Sequence, residues 1–499
     1  MDASASARPG PPPLDHATVR SIIIGVMLAM FLAALDQTII ATALPTIGRE
    51  LGDLQNIAWV VTAYLLSSTA VTPLYGKLSD IHGRRTVMLI AIVIFIIGSI
   101  ACAIAPTMTT LILARFLQGL GGGGLISLAN TIVGDAISPK ERAKYMGYFG
   151  AVFALSSVAG PVLGGVLSET FHWSLIFWIN IPLGLIAFLM TFNALKKLPQ
   201  NNRPHRLDVV GALLLVIASV LLLLAISWGG VSYPWLSLQI LGLVAGSAVA
   251  WALFTLRVLT APEPFLPVGV LRDQVVATAT LAGFFGIGTM VGLSIYMPLF
   301  FQSVKHLSAA ESGFALIPLS IGTVFGAQFS GRVMARVTHY KRSPIVGLIV
   351  AILLTFVLAA FAGDLDNITI QVLLGIIGAG LGTLFPVTLV VAQNAVALHH
   401  LGTATAAVNF MRSLGSAILV AAFGAILLAG LGTISDGAGT SVEAKIASAA
   451  ESGVSLAGAF TGVFIAAGIC AAIALVLLLV MEERPLRGGR VSAPTSMEH

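Results

Sequence analysis

The sequence predicts an all-α integral membrane protein with fourteen transmembrane helices grouped six, two and six. Three observations carry this. Hydrophobic residues make up 57% of the 499-residue chain and charged residues only 9%, against roughly 25% charged in a soluble domain. Apolar runs of spanning length recur near 21–43, 57–76, 86–105, 108–130, 144–167, 174–194, 208–228, 236–256, 275–301, 311–331, 343–362, 369–393, 403–430 and 457–480. Basic residues also fall on alternate connections. With residue 1 inside the cell, 21 of the 26 Lys and Arg lie in inner loops and tails. Three (Arg49, Lys305, Lys445) lie outside, and Arg115 and Arg412 lie within spans. That asymmetry puts both termini in the cytoplasm of a multi-pass cell-membrane protein. A β-barrel would instead alternate apolar and polar residues over about ten positions.

The elements follow in order. Residues 1–20, rich in Ala, Ser and Pro, are expected to be a disordered cytoplasmic tail. The first apolar run is long and carries Asp36, so it is expected to be a retained helix, despite the small-residue pattern Ala41-Thr42-Ala43 that a signal peptide would offer. Residues 21–196 form a first six-helix bundle, closed by the polar connector Lys196 to Arg206. Residues 197–274 hold two further helices, joined by an uncharged turn from Trp228 to Trp235 and followed by Pro262, Pro264 and Pro267. Residues 275–481 form a second bundle, and 482–499 a cytoplasmic tail. The outer segment 431–456 reads as an amphipathic hairpin or as disorder. Gly331-Arg332, with Arg336, Lys341 and Arg342, echoes the glycine-then-basic layout of 76–85 at 255 residues' distance, as related halves would.

A few polar residues sit where lipid-facing chain cannot tolerate them. Asp36 is the only acid well inside a span. Such a carboxylate costs roughly 2.5–3.5 kcal/mol on insertion scales, and burial favours the protonated form of a lone carboxyl. It is therefore a reversible proton site or a structural partner of a neighbouring charge. Arg115, with Gln118 one turn later on the same face, must face a partner or a water-filled cavity. An active relay and a static pair with Asp36 both satisfy that. Arg412, with Asn409 one turn earlier, either lines a cavity or bonds the carbonyls of a broken helix. Gly160, Pro161, Gly164 and Gly165 predict a bend and a tight helix crossing. The loop from Gly76 to Arg85 sets Gly76, Asp80, Gly83, Arg84 and Arg85 in order. Asp80 can pair with Arg84, Arg85 or a basic residue of another loop, and Asp135 is a further partner for the cluster.

These motifs resemble the major facilitator superfamily of secondary transporters, and most closely its fourteen-helix drug:proton antiporter family. The resemblance rests on Leu35 to Pro45 in the first span, loop 76–85, Arg115 to Gly124, Gly160 to Gly165, and Trp178 to Gly184, the last taken as structural. It implies two six-helix bundles around a central cavity with two extra central helices, and alternating access driven by inward proton flow. It implies that Asp36 and Arg115 serve proton coupling or substrate binding, that loop 76–85 latches the cytoplasmic side, and that the fifth-helix motif belongs to exporters. The expected cargo is a lipophilic or cationic drug or dye, attracted by Asp36 and by aromatic and Met side chains. An endogenous lipid, siderophore or secondary metabolite is the alternative, and a non-transporting sensor or scaffold the reading from another class.

Other chemistry finds no support. There is no strand-borne phosphate loop for an ATP-driven pump, and no clustered ligands for a metal. Cys102 and Cys470 read as small core side chains, and His399 and His400 as solvated loop residues. The chain is thus expected to be no enzyme, to need no cofactor and bind no nucleic acid, and to work as a monomer with substrate, protons and the bilayer as its partners.

Overall fold

The computed structural model describes residues 16–53, 56–197, 208–229, 233–261, 270, 272–337, 339–397, 400–430 and 456–486. Their fold is a helical bundle. The first group is α1 (His16–Glu50), α2 (Ile57–His82), α3 (Arg84–Ala103), α4 (Met108–Ala136), α5 (Pro139–Thr170), α6 (Leu175–Trp178) and α7 (Asn180–Ala194). Two central helices follow, α8 (Val209–Trp228) and α9 (Leu238–Thr260). The second group is α10 (Gln274–Ser303), α11 (Ala309–Phe314), α12 (Ile317–Arg336), α13 (Arg342–Phe361), α14 (Asn367–Gly382), α15 (Leu384–Ala395), α16 (Leu401–Gly430) and α17 (Leu456–Val480). Helix α1 begins at His16, so residues 16–20 are helical rather than part of the expected tail. Residues 1–15, most of the connectors 196–206 and 262–269, the centre of the 228–235 turn, His399, segment 431–455 and residues 487–499 lie outside the described residues.

Among the described residues, twelve helical spans are long and apolar enough to cross a membrane, where fourteen are expected from the sequence. The two remaining long helices are α2 and α5, of 26 and 32 residues. Their polarity explains the difference. Helix α2 carries Ser67, Ser68, Thr69, Thr72, Lys77 and Asp80, and α5 opens with Lys140, Glu141, Arg142 and Lys144. Both are nonetheless packed inside the bundle, α2 against α4 and α5 against α1.

Three spans expected to be continuous are broken. Helices α6, α11 and α14 end at Trp178, Phe314 and Gly382, each four residues before a proline (Pro182, Pro318, Pro386). A proline offers no N–H to the carbonyl four residues back and its ring crowds that carbonyl, so each break falls where the missing bond predicts. Two of these breaks matter below, because they flank Asn180 and Phe385.

The two groups meet along α2–α16 and α5–α12, and α8 packs on both α2 and α16 as well as on α9. Small residues set the spacing within the first group. Helix α4 presses Gly121 onto the Phe95 backbone of α3 and Gly123 onto the Ser68 carbonyl of α2, which lets backbones approach where side chains could not. Gly165 of α5, by contrast, faces open space. Gly123→Val is therefore expected to lower bundle stability by about 1–3 kcal/mol, and Gly165→Val to leave it near native, when melting of the two purified variants is compared in one detergent. Equal melting temperatures would remove the close-approach explanation.

Candidate functional site

A fully buried ion pair joins the first group. Asp36 and Arg115 are 0% and 1% exposed, with Arg115 Nη1 2.5 Å from Asp36 Oδ2. Two side-chain amides also donate to the carboxylate. Gln118 Nε2 and Asn180 Nδ2 each donate to Asp36 Oδ1 at 2.8 Å. Gln118 also bonds Ser99 Oγ at 2.8 Å and accepts from Arg115 Nη1 at 2.6 Å. Arg115 Nε donates to the Val60 carbonyl at 3.0 Å, and Cζ lies 4.3 Å from the centre of the Tyr64 ring. Helices α1, α2, α3, α4 and α7 thus converge on one charge-neutral knot. Losing one member of such a pair strands a charge in low dielectric, which costs far more than the intact pair contributes.

The knot lies off the central cavity. A cavity of about 730 Å³ sits between the two groups. Gln37 and Thr38, the next two residues of α1, line it, but Asp36 and Arg115 do not. Asp36 as a cavity-wall attractor for cargo is therefore corrected: its oxygens face α4 and α7. Phe149, Phe153, Met30 and Met290 supply the expected aromatic and Met wall. Arg412 and Asn409 line it as well. Arg412 Nη2 also bonds the Phe385 carbonyl at 2.8 Å and Thr388 Oγ1 at 2.6 Å, just after the α14–α15 break.

Helix α5 crosses α1 right beside this region. Gly160 abuts Thr38 and Gly164 abuts the Ile39 carbonyl, while Thr38 Oγ1 donates to the Ser156 carbonyl at 2.8 Å. Gly165 takes no part in the crossing, which corrects its place in the motif. Helix α5 runs on through position 161, although the Pro161 side chain lies outside the described set.

A second polar cluster ties the two groups together at the end of the bundle that holds loop 76–85. Gly83 adopts φ +86° in the turn between α2 and α3, a conformation that costs glycine little. Asp80 bonds the backbone N–H groups of Gly402 and Thr403 at 3.1 and 2.9 Å and the Thr403 hydroxyl at 2.7 Å. Those N–H groups open α16, where free donors and the helix dipole favour an anion. Arg84 Nη1 sits 2.5 Å from Asp80 and Arg84 Nε 2.6 Å from Asp135. Gly76 meets the Gly402 carbonyl and Ala406 across the same seam. Beside this cluster, Arg142 bonds Gln393 and the Gly134 carbonyl, and Gln393 bonds Thr405 at 2.7 Å. Arg85 stands apart, its guanidinium 4.3 Å from the Phe192 ring. The echo at 331–342 engages its own group instead. His339 and Lys341 bond Glu483, and Tyr340 bonds the Arg484 carbonyl, in the segment after α17.

Residues 26–420 match the Major Facilitator Superfamily. The chain belongs to that superfamily. Among its relatives, Multidrug resistance protein 3 of Bacillus subtilis is 34% identical over 82% of this chain and 80% of its own length. The multidrug transporter protein MdtP of the same organism is 35% identical over 83% and 76%. Efflux pump dotC of Dothistroma septosporum is 33% identical over 80% and 69%. Among solved structures, a bacterial homologue of the iron transporter ferroportin in an outward-facing state aligns with a TM-score of 0.64 at 12% identity, covering 94% of this chain and all of that one. The proton:xylose symporter XylE aligns at 0.60 and 13%, over 93% and 96%. These two likenesses show the fold. As a superfamily member the chain is a multi-pass membrane transporter of small molecules and no enzyme.

Sequence reasoning brought Asp36, Arg115 and Gln118 together and placed Asp135 with loop 76–85. It missed Asn180, which had been read within a structural segment, along with Ser99, Arg142, Gln393 and Thr403. Asn180 carried one usable signal: it lies two residues before Pro182, at a helix break. Arg142 sits in a basic loop and is indistinguishable from a topogenic charge.

Two outcomes follow from this geometry. Asp36→Asn or Arg115→Gln alone is expected to destabilise the protein by about 3–5 kcal/mol, whereas Asp36→Asn with Arg115→Gln costs less than either. Thermal melting and membrane abundance of the three variants check this, and additive losses would contradict it. At the seam, Asp80→Asn is expected to leave abundance near native while slowing transport several-fold, because the contacts between the groups are weakened while Arg84, which also loses its pair with Asp80, keeps Asp135. Unchanged transport would remove the clamp from the cycle.

Proposed function

We propose that the chain is a proton-coupled antiporter that exports lipophilic, drug-like molecules by alternating access. In this reading fourteen helices span the cell membrane, α2 and α5 included. Both termini face the cytoplasm, as the distribution of basic residues supports, and the clamp around Asp80 and Arg142 closes the cytoplasmic side. The observation that carries the reading is the position of Asp36. It is sealed inside the first group, yet the next two residues of α1 line the cavity. Protonating Asp36 removes the partner of Arg115 and unbalances the knot, so α1 and α4 must rearrange. Gln37 and Thr38 then transmit that change to bound cargo, and the Gly160–Gly164 crossing lets α5 follow α1. Proton entry and cargo release are thereby coupled without contact between the two sites.

The names of the bacterial and fungal relatives support export as the direction. The driving force is adequate, since each charge moved through 100 mV is worth roughly 2.3 kcal/mol. With no carboxylate on the cavity wall among the described residues, the basis for preferring cations falls away and lipophilicity remains.

The test uses a pump-deficient host loaded with Nile red, a neutral lipophilic dye. Expression of the native chain is expected to give energy-dependent efflux that stops when the pH gradient is collapsed. The Asp36→Asn/Arg115→Gln pair, at matched abundance, is expected to give none. Efflux that survives collapse of the gradient, or that persists in the paired variant, would count against proton coupling through Asp36.

A further inference from the structure

Export alone does not say what chemistry the cargo carries, but the cavity wall does. We propose that the cavity binds lipophilic molecules bearing an acidic group, held on Arg412 and Asn409. The proposal rests on the export reading and names the cargo class of the same site.

Arg412 is the only charged side chain lining the cavity among the described residues, and no Asp or Glu lines it. Nor does any described carboxylate lie within ion-pair distance of Arg412. The one intramembrane acid, Asp36, is already held by Arg115, Gln118 and Asn180. The guanidinium is also positioned rather than loose. Nη2 is fixed by the Phe385 carbonyl and Thr388, and Cζ lies 5.5 Å from the Phe385 ring centre.

Arg412 Nε has no acceptor, and neither does Asn409 Nδ2 one turn earlier on the same helix. A partly buried cation with unused donors is stabilised when an anion pairs with it. A carboxylate or sulfonate on the cargo would supply both the charge and the acceptors. The remaining wall, including Phe149, Phe153, Met30 and Met290, suits an apolar body, and about 730 Å³ is the size of a drug-sized ligand site. The same unbalanced positive charge opposes cationic cargo.

Three pyrene probes with one apolar body test this: 1-pyrenebutyrate, its uncharged amide, and the pyrenebutyl-trimethylammonium cation. Each is titrated calorimetrically into the purified full-length protein, with protein-free micelles as the blank. The native protein is expected to bind the butyrate about tenfold or more tighter than the amide, as a desolvated charged hydrogen bond supports, and the cation most weakly. Arg412→Gln is expected to bring the butyrate-to-amide ratio close to one, and Arg412→Lys, which keeps the charge, to retain much of it. A native protein with no preference for the butyrate, or with equal affinity for the cation, overturns the proposal without recourse to any variant. So does an unchanged ratio in Arg412→Gln. Nile red efflux by the native chain judges the export reading separately. Efflux without butyrate preference removes the acidic-cargo proposal alone, and absence of efflux of both Nile red and 1-pyrenebutyrate removes export.

Discussion

A carboxylate and a guanidinium 2.5 Å apart and shielded from water constrain the whole first half of this transporter. Neither charge of this pair is held alone, and each is stabilised by the other and by the amides of Gln118 and Asn180. Asp36 comes from α1, Arg115 and Gln118 from α4, Asn180 from α7 and Ser99 from α3. The glycines of α4 follow from this demand, because the helices must approach closely for short side chains to meet. The break before Asn180, set by Pro182, brings that amide within 2.8 Å of the carboxylate. In the proposed cycle the proton acts on helix packing, and the cavity senses it through α1.

The division of charge has a second consequence. The acid is spent inside the first half, and Arg412 in the second half is left to meet the cavity. In the proposed cycle, proton site and cargo site therefore lie on different halves, joined by the α1–α5 crossing with α5 packed on α12, and by the clamp between loop 76–85 and the start of α16. At that clamp an aspartate from one half satisfies the first backbone donors of a helix from the other, so its strength depends on the two halves meeting there. A contact of this kind can be made and broken within a transport cycle without exposing an unpaired charge, because Asp80 keeps Arg84 in either case.

The elements legible in the sequence were those dictated by local chemistry. Apolar length revealed most spans, and intramembrane charges marked Asp36, Arg115 and Arg412. Helical spacing placed Gln118 with Arg115, and the order of residues in loop 76–85 marked the clamp. What was not legible depended on tertiary arrangement. Asn180 and Gln393 are amides within apolar runs, and their importance comes from partners 144 and 251 residues away. Which face of α1 carries Asp36 relative to the cavity could not be read either, because helical periodicity is weak where every face is apolar. The three proline breaks were readable in principle, since each lies four residues upstream of its proline, but apolar length alone hid them. Gly165 shows the converse error: a motif position can match in type while its Cα faces away from the helix crossing.

Proton movement coupled to cargo through the Asp36–Arg115 knot is the central claim, and it can be observed directly. Purified protein would be sealed into liposomes with a trapped pH-sensitive dye, and a gradient of lipophilic cargo imposed across the membrane. The account predicts a lumenal pH change with the native chain, opposite in direction to cargo flow and absent in the charge-neutral Asp36→Asn/Arg115→Gln variant. Cargo transport by the native chain with no accompanying proton movement, or the same pH change in the variant, would contradict it.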